Sequence, residues 1–509
     1  MLRKLIELIK EAIRKMTKYT DITDLVDIDE VLISDEMSDA IQEWKLMYKN
    51  EASWIDSDVS SMGLPKSICQ MLQMMVMCEL TVDITPPPIT QVNTETGEVE
   101  EVPVETKEDS LAEYIDNLFK VQLLSKLDVN LEKAMALGGM IIKPYLVKDS
   151  IYFDFVLQGD FYPISFDDDG RITDVAFLDQ FISGSDLYTK VERHTFSDNT
   201  IVVQNKAFKA KLVDNDDMDE QELGNEIPLT AVSKWSDIEP EVTIQDVEKP
   251  MYGYYKVPVA NNVDMESPLG VSVFSAAADL IKLADIQFSR LDWEYEAGQI
   301  AIDVDSTALC TQDTYFKQRL DSGKDRIYRK LDLGNEDTYH AFTPSLRDTS
   351  YIQGLNTYLH KIEDACGLAR GTLGDVQSDA RTATEIKILR QNTYTTITKN
   401  QESLEQAFRD AIDGAKVFIE LYELHNIEDF DVAINWSDSI LTDVDTELAQ
   451  KRLLVQDGIL SKAELRAWYT GEDLDTAKQV IQEMQEESIR LSQELMFNAA
   501  PEDNAGEEE

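Results

Sequence analysis

Three glycines close together in the chain could do chemistry as a phosphate-binding loop. Gly367, Gly371 and Gly374 come near to the spacing of such a loop, whose backbone N–H groups would cradle an anion. In phosphate-binding proteins such a loop follows a β-strand. In this chain, residues 350 to 365 precede the glycines and carry apolar residues at helical spacing. We therefore interpret the glycines as part of a flexible hinge between two helices, and we predict no cofactor.

Other signatures of catalysis or metal binding are incomplete. Ser322-Gly-Lys324 lacks both the upstream glycine and the following Ser or Thr of an ATPase phosphate loop. The run from Asp167 to Gly170 tempts an EF-hand interpretation, but Ser165 and Ala176 stand where that loop needs Asp and Glu. A tight hairpin turn explains the run more simply. The sequence predicts no enzyme and no catalytic, cofactor-binding or metal-ligating residue.

The charge of the chain is its most unusual property. The 509 residues include 98 acidic and 47 basic side chains, which gives a formal net charge of −51. Such a chain repels polyanions on average, so contact with nucleic acid must be local or weak. Carboxylate pairs suited to a metal-dependent nuclease will occur by chance, and that function stays open as an alternative. Four scattered cysteines without a CxxC pair indicate a reducing compartment and assembly in a cytoplasm.

Two basic segments stand out against this acidity. Residues 2 to 18 form a basic amphipathic pattern, which favours an arm docking on this protein or its neighbour; the alternative is a membrane-peripheral scaffold. The second segment is a positive island that predicts a docking surface for an acidic partner, with a solvated face or ion pairs to a neighbouring subunit as the alternative. Its members are Lys317, Arg319, Lys324, Arg326, Arg329 and Lys330.

Hydrophobic periodicity predicts the elements that hold these segments. Helical patterns cover 36–50, 64–80, 108–137, 267–298, 350–365, 443–457, 462–469 and 475–497. Strand patterns cover 140–147, 151–157, 171–182, 187–196 and 200–207 as one antiparallel meander, then 300–304, 326–329 and 430–436. An acidic linker is predicted from 214 to 248. The fold class is α+β.

The longest predicted helix follows the glycine hinge directly. Thr382 is a good N-cap and Glu385 lies three residues on, which is a capping box. Apolar residues then recur at helical spacing for about 40 residues. They are Ile386, Leu389, Thr393, Ile397, Leu404, Phe408, Ile412, Ala415, Ile419 and Tyr422. Helices of this length are uncommon in globular domains, so we expect a tall assembly.

The order of these parts resembles the portal proteins of tailed bacteriophages, in particular the SPP1-like portals of Gram-positive siphophages. The resemblance covers residues from about 140 to 495. It is carried by Phe161-Tyr-Pro-Ile-Ser-Phe-Asp-Asp-Asp-Gly-Arg-Ile-Thr173, Ser267-Pro-Leu-Gly-Val-Ser-Val-Phe274, Gly371-Thr-Leu-Gly374, Ala380-Arg-Thr-Ala-Thr-Glu385, Ile434-Asn-Trp-Ser-Asp438 and Gly458-Ile-Leu-Ser-Lys462.

The resemblance implies a portal fold with a division into named parts. These are an N-terminal arm and mixed wing (1–266), a stem of two helices (267–298 and 348–366), a small α/β clip (299–347) and a tunnel loop (367–381). A long wing-spanning helix with a returning strand (382–442), a helical crown (443–497) and an acidic tail (498–509) complete it. The resemblance places the tunnel loop, with Arg370, Gly371, Thr372, Leu373, Gly374, Asp375 and Arg381, near a DNA channel.

The resemblance also implies a function and a set of partners. Portals form a homo-oligomeric, dodecameric ring at one vertex of the virion capsid, through which double-stranded DNA is packaged and ejected. The expected partners are terminase, head–tail adaptor proteins, and major capsid and scaffolding proteins, with no membrane. An acidic channel wall agrees with this function, because each Lys or Arg contact to phosphate would deepen binding and hinder sliding.

Overall fold

A helix from Ala383 to Leu421 is the longest element that the computed structural model describes. The structure describes residues 33–87, 89–92, 99–102, 110–148, 150–211, 224–298, 301–305, 328–331, 339–342, 345–374, 383–426, 428–436, 444–470, 474, 476–482 and 484. The chain divides into one unit over residues 1–436 and a second over residues 437–509. The predicted arm at residues 2–18 lies outside the described residues.

The described helices and strands alternate along the chain in blocks, as in α+β proteins. The helices are α1 (Asp35–Tyr48), α2 (Leu64–Val76), α3 (Leu111–Leu118), α4 (Ser125–Leu137), α5 (Ala278–Ala297), α6 (Asp348–Ala365), α7 (Ala383–Leu421), α8 (Val444–Gln456) and α9 (Lys462–Thr470). A π-helical segment, Phe119–Leu124, joins α3 to α4.

The described strands fall into five sheets. They are β1 (Leu80–Thr85), β2 (Ile89–Val92), β3 (Val99–Val102), β4 (Gly139–Val147), β5 (Ser150–Leu157), β6 (Phe161–Phe166), β7 (Ile172–Ser183), β8 (Asp186–Ser197), β9 (Thr200–Lys211), β10 (Asn225–Ile227), β11 (Glu241–Gln245), β12 (Gly253–Lys256), β13 (Ala301–Asp305), β14 (Tyr328–Leu331), β15 (Tyr339–Phe342) and β16 (Asp431–Trp436). The largest sheet runs β10-β9-β8-β7-β6, with β11 also on β9.

Helix α7 confirms the predicted long helix and forms the centre of the first unit. It is 39 residues long, and its apolar stripe from Ile397 to Ile419 is buried. Phe408 packs edge-on against Phe119, with ring centroids 5.1 Å apart. The Tyr255 hydroxyl donates to Asn400 Oδ1 over 2.7 Å, which ties α7 to strand β12. The predicted N-cap, Thr382, lies outside the described residues.

The predicted single meander is wrong in its connectivity, although its five strands are confirmed. Strands β4 and β5 belong to a separate three-stranded sheet, β12-β4-β5, in which Gly253 pairs with Ile142. Only β6 to β9 continue as a meander. The chain separates the two sheets at Gly159, whose φ of +98° breaks the extended path. Because β12 follows β4 by about a hundred residues, short-range periodicity could not reveal their pairing.

The predicted acidic linker at 214–248 is also wrong for its second part, residues 224–248. Strands β10 and β11 both pair with β9 there. Between them Trp235 is 1% exposed, and its Nε1 donates to Asp179 Oδ2 over 3.0 Å. Leu229 and Val232 are buried at three-residue spacing before it. The many carboxylates of residues 224–248 are exposed. Their number makes the segment look like a linker in composition, although it contains a small apolar core.

The helix predicted from Ser267 begins later, at Ala278. Residues 269–274 are all buried, which an amphipathic helix with one exposed face cannot achieve. Apolar side chains alternate at Leu269, Val271 and Val273, as in an extended segment. The close approach of this segment to the Gly138 carbonyl leaves no space for a side chain at Gly270.

The second unit confirms two predicted helices, α8 and α9. At the start of α9 the capping box is formed in both directions: Ser461 N donates to Glu464 Oε2 over 2.7 Å, and Glu464 N donates to Ser461 Oγ over 3.1 Å. Lys451 Nζ lies 4.3 Å from the centroid of the Trp468 ring. The contact between Lys451 and Trp468 connects α8 to α9.

Candidate functional site

The candidate site is the turn that follows helix α6, because it contains the three glycines with phosphate-loop spacing. Helix α6 ends in a Schellman motif: Cys366 N donates to the Ile362 carbonyl, and Leu368 N donates to the Glu363 carbonyl over 2.8 Å. Gly367 has a φ of +70°, and a Cβ there would lie 2.3 Å from Thr396 Oγ1 of α7. Glycine is therefore required at this position by both backbone angle and space.

The Glu363 carboxylate accepts hydrogen bonds from several backbone amides of the turn. Its Oε1 accepts from Leu373 N over 2.6 Å and from Gly374 N over 3.0 Å, and its Oε2 accepts from Gly371 N over 3.0 Å. His360 Nδ1 lies 3.0 Å from Oε2 and supplies a fourth donor. The Glu363 residue is 0% exposed. The glycine-rich turn is thus an anion-binding nest, and the anion that it binds is the Glu363 carboxylate of the same chain.

The charge of Glu363 is maintained by these donors. Burial alone would raise the pKa of the Glu363 carboxyl, but hydrogen bonds from His360 and from the three backbone amides outweigh burial and hold the pKa below its ordinary value. The carboxylate consequently stays ionised at neutral pH. A negative charge already inside the nest excludes a phosphate from the same donors.

Arg370, the basic residue predicted to lie near DNA, is paired within the same turn. Its Nε and Nη2 donate to the two Asp364 carboxylate oxygens over 3.0 and 2.8 Å. The pair is partly open to solvent, with side chains 44% and 37% exposed. This hydrogen bonding lowers the pKa of Asp364. The positive charge of Arg370 is therefore largely compensated by its neighbour.

These contacts change the interpretation of the hinge. Residues 367–374 form a hydrogen-bonded turn rather than an open loop, and the flexibility of the segment stays a prediction. Asp375 and Arg381 lie outside the described residues. Of the predicted positive island, Lys317, Arg319, Lys324 and Arg326 also lie outside them, and Arg329 and Lys330 lie on strand β14.

The residue that sequence reasoning missed is Glu363. A signal was present, because Glu363 falls on the buried side of α6 together with Leu355, Leu359 and Ile362. An acidic residue on an apolar helix face needs hydrogen-bond partners, and the nearest source of free N–H groups is the turn after the helix.

A cavity of about 480 Å³ opens beside the turn. Residues 364–367 line one side and residues 392–400 of α7 line another. Thr396 Oγ1 spans the two sides by donating to the Gly367 carbonyl over 3.3 Å. The lining is a mixture of apolar and polar side chains without a cluster of catalytic groups.

Neither a metal site nor a membrane-spanning element is found in the described part of the chain. No group of three or more His, Cys, Asp or Glu side chains there could hold a metal ion. No described helix is long and apolar enough to cross a membrane.

The described residues define the class of the protein as a mixed helix-and-sheet fold whose glycine-rich turn is occupied by its own Glu363 carboxylate. Comparison with family models makes the class specific: the model described as "Phage portal protein, SPP1 Gp6-like" matches residues 91–494. The chain belongs to this family of phage portal proteins, which are structural components of the capsid that act in DNA packaging. No curated protein matches the chain. Membership implies an oligomeric ring associated with capsid and terminase.

Proposed function

We propose that this chain forms the ring-shaped channel at one capsid vertex through which double-stranded DNA is packaged and ejected. The observation that carries the proposal is the family match over residues 91–494. The net charge of −51 supports it physically, because an acidic wall leaves DNA hydrated and free to slide.

Electron microscopy of the purified full-length chain in negative stain tests this proposal. Rings with a central hole are expected. A compact monomer across a range of protein and salt concentrations would contradict it. Subunit counting by mass photometry would test the expected twelve-fold ring, which is the dodecamer implied by the resemblance.

We further propose that the turn at 367–374, continuing through Asp375 to Arg381, lies at the channel and follows DNA without gripping it. Both kinds of anion-binding donor in the turn are already occupied. The amides of Gly371, Leu373 and Gly374 bind Glu363, and the Arg370 guanidinium binds Asp364. A DNA phosphate passing the turn would have to displace a carboxylate that is held in place by the fold.

Asp364→Asn tests this second proposal, because it frees Arg370 without touching the amide nest. Rings of the variant should bind duplex DNA more tightly, and their affinity should fall more steeply with salt, by about one additional phosphate contact per engaged subunit. Glu248→Gln, which also removes one exposed carboxylate, is the matched control and should change neither quantity. Identical salt slopes for Asp364→Asn and Glu248→Gln would count against a turn at the channel.

We propose that terminase, and later head–tail adaptors, dock on the clip at residues 299–347. The positive island in this part of the sequence supports the proposal, since it would face acidic partners from an otherwise acidic ring. Reversing Arg326 and Arg329 to Glu should weaken terminase binding and flatten its salt dependence. Unchanged binding across salt concentrations would remove the island from the docking surface.

A further inference from the structure

Other described parts of the chain pack against two sides of helix α5 and leave the two sides between them uncovered. Helix α6 covers one side, where Arg347 Nη2 donates to Glu294 Oε2 over 2.7 Å and Gln287 Nε2 donates to the Tyr351 carbonyl. The segment before α2 covers another side, where Trp54 Nε1 donates to Asp285 Oδ2 over 3.0 Å. Because α6 covers Glu294 and the segment that contains Trp54 covers Asp285, both acidic side chains of α5 are buried.

The two remaining sides of α5 expose large apolar side chains. At about 100° per residue, Leu283, Arg290 and Trp293 fall within one arc of about 80°, which we name the first face. Phe288, Asp292 and Tyr295 fall within another arc, the second face, on roughly the opposite side of the helix. The exposed fractions are 43% for Leu283, 62% for Trp293, 37% for Phe288 and 44% for Tyr295.

Beside the exposed aromatic side chains the two faces carry opposite charges; Asp279, which also falls within the first arc, lies about three turns away from Arg290. Arg290 lies on the first face and Asp292 on the second, and both are exposed. Within the described residues, neither side chain has an ion-pair or hydrogen-bond partner. An unpaired cation beside Trp293 and an unpaired anion beside Tyr295 are complementary to each other, but one helix cannot bring its own opposite sides together.

We propose that the first face of α5 packs against the second face of α5 in the neighbouring copy of this chain, with Arg290 facing Asp292 across the seam. The proposal rests on the ring of the proposed function. A closed ring is built from heterologous contacts, so each copy must present two different, complementary patches on opposite sides. The two faces of α5 meet this requirement in position, apolar character and charge.

The heights of the two faces agree with this arrangement. In the proposed ring α5 runs close to parallel to the ring axis, so levels can be compared along the helix. Rotation about a ring axis leaves every residue at its own level, so patches that meet must lie at similar levels on one copy. The centres of the two faces are about three residues apart, or about 4.5 Å along the helix axis. The Arg290 and Trp293 side chains are long enough to span that offset. The exposed aromatic side chains and Arg290 are of the residue types that are enriched at protein interfaces.

A charge swap tests the seam in the full-length chain. Arg290→Asp and Asp292→Arg should each reduce the ring fraction at low salt by about tenfold or more, because each places like charges face to face. Combining both substitutions restores opposite charges and should restore rings. Mass photometry gives the ring fraction, and circular dichroism of the monomers checks that each variant is folded. Glu248→Arg carries the same charge change as Asp292→Arg at another exposed position and should leave the rings intact.

The outcomes separate the seam from the portal function on which it rests. Rings in wild type, loss in both single variants and recovery in the double variant support the seam. Rings that persist in both single variants, or a double variant that stays as monomers while folded, overturn the seam and leave the portal function standing. Failure of the wild type to form rings overturns the portal function and the seam together.

Trp293→Ala provides a second measurement that does not depend on charge. If Trp293 is an apolar anchor of the seam, its truncation should raise the protein concentration needed for ring formation by about tenfold or more. Met265→Ala is the matched control, since Met265 is 90% exposed and lies outside both faces. Equal concentrations for the two variants would overturn the assignment of Trp293 to the seam.

Discussion

Two carboxylates stay ionised for different reasons: Glu363, buried in the last turn of α6, and Glu192, partly buried on β8 beside Lys143 of the three-stranded sheet. Glu363 accepts mainly from backbone amides of one turn. Glu192 on β8 accepts from Lys143 Nζ over 2.6 Å, from Lys190 Nζ over 2.8 Å and from His194 Nε2 over 2.8 Å. Burial would raise the pKa of Glu192, but Lys143, His194 and Lys190 hold it well below the ordinary value.

The difference lies in what each carboxylate holds together. Lys143 comes from strand β4 of the three-stranded sheet, whereas Lys190 and Glu192 belong to the six-stranded sheet. Glu192 therefore neutralises cations from two sheets at once, and Lys143 also stacks over Phe177 with its Nζ 4.5 Å from the ring centroid. Loss of Glu192 should affect the whole first unit, while loss of Glu363 should free one turn only.

The largest effect is expected for Glu192→Gln. The substitution leaves Lys143 and Lys190 buried without a counter-charge, and breaking a buried ion pair in this way costs about 3–5 kcal/mol. Urea denaturation followed by tryptophan fluorescence measures the free energy of unfolding. Glu226→Gln, at an exposed position on β10 of the same sheet, is the control and should change stability by at most about 0.5 kcal/mol. Equal losses in both variants would contradict the sheet-bridging role of Glu192.

Glu363→Ala should have a local effect. The amides of Gly371, Leu373 and Gly374 lose their acceptor, and hydrogen bonds to charged groups contribute about 1.5–3 kcal/mol. Their hydrogen exchange should therefore accelerate by about one to two orders of magnitude, while exchange in the sheets stays unchanged. Asp364→Asn removes the adjacent carboxylate but no acceptor of these amides, so it should leave their exchange as in wild type. Slow exchange in Glu363→Ala would show that the nest does not depend on its carboxylate.

Acid should lower the free energy of unfolding of the chain in two steps. Burial lowers the pKa of His194 below 6.5, so the unfolded chain binds a proton that the folded chain does not, and stability falls as the pH drops below about 6.5. Glu192 and Glu363 have pKa values below 4.5, so their stabilisation is present above that pH and is lost below it. Each proton contributes up to about 1.4 kcal/mol per pH unit. Asp160 and Asp285 act in the opposite sense, because burial raises their pKa values.

Urea midpoints measured between pH 7 and pH 4 check this sequence of steps. His194→Gln should remove the decline that begins below about pH 6.5 and keep the decline below 4.5. An unchanged profile in His194→Gln would assign the first step to another group. The comparison with Glu363→Ala sharpens the result, since that variant should keep the first step.

Periodicity alone was enough to predict most of the helices and their order. Helix α7 has a continuous 3.6-residue stripe, and the helix is found where this periodicity predicts it, over Ala383–Leu421. Pairings between distant segments could not be found in this way: β1 pairs with β16, with Leu80 opposite Trp436. The same limit applies to the candidate site, because the bond from the Gly371 amide to Glu363 depends on how the turn folds back onto α6 and leaves no periodic trace.

The smallest effect is expected for Arg370→Ala, which tests the outer part of the same turn. The Asp364–Arg370 pair is bidentate but open to water, and exposed ion pairs contribute about 0.2–1 kcal/mol. Stability should therefore change by less than about 1 kcal/mol, and the exchange of the Gly371 and Leu373 amides should stay slow because Glu363 still accepts from them. Urea denaturation in low and high salt provides the check, since any loss should shrink as salt screens the pair. A loss comparable to that of Glu192→Gln would mean that Arg370, and not the buried carboxylate, holds the turn.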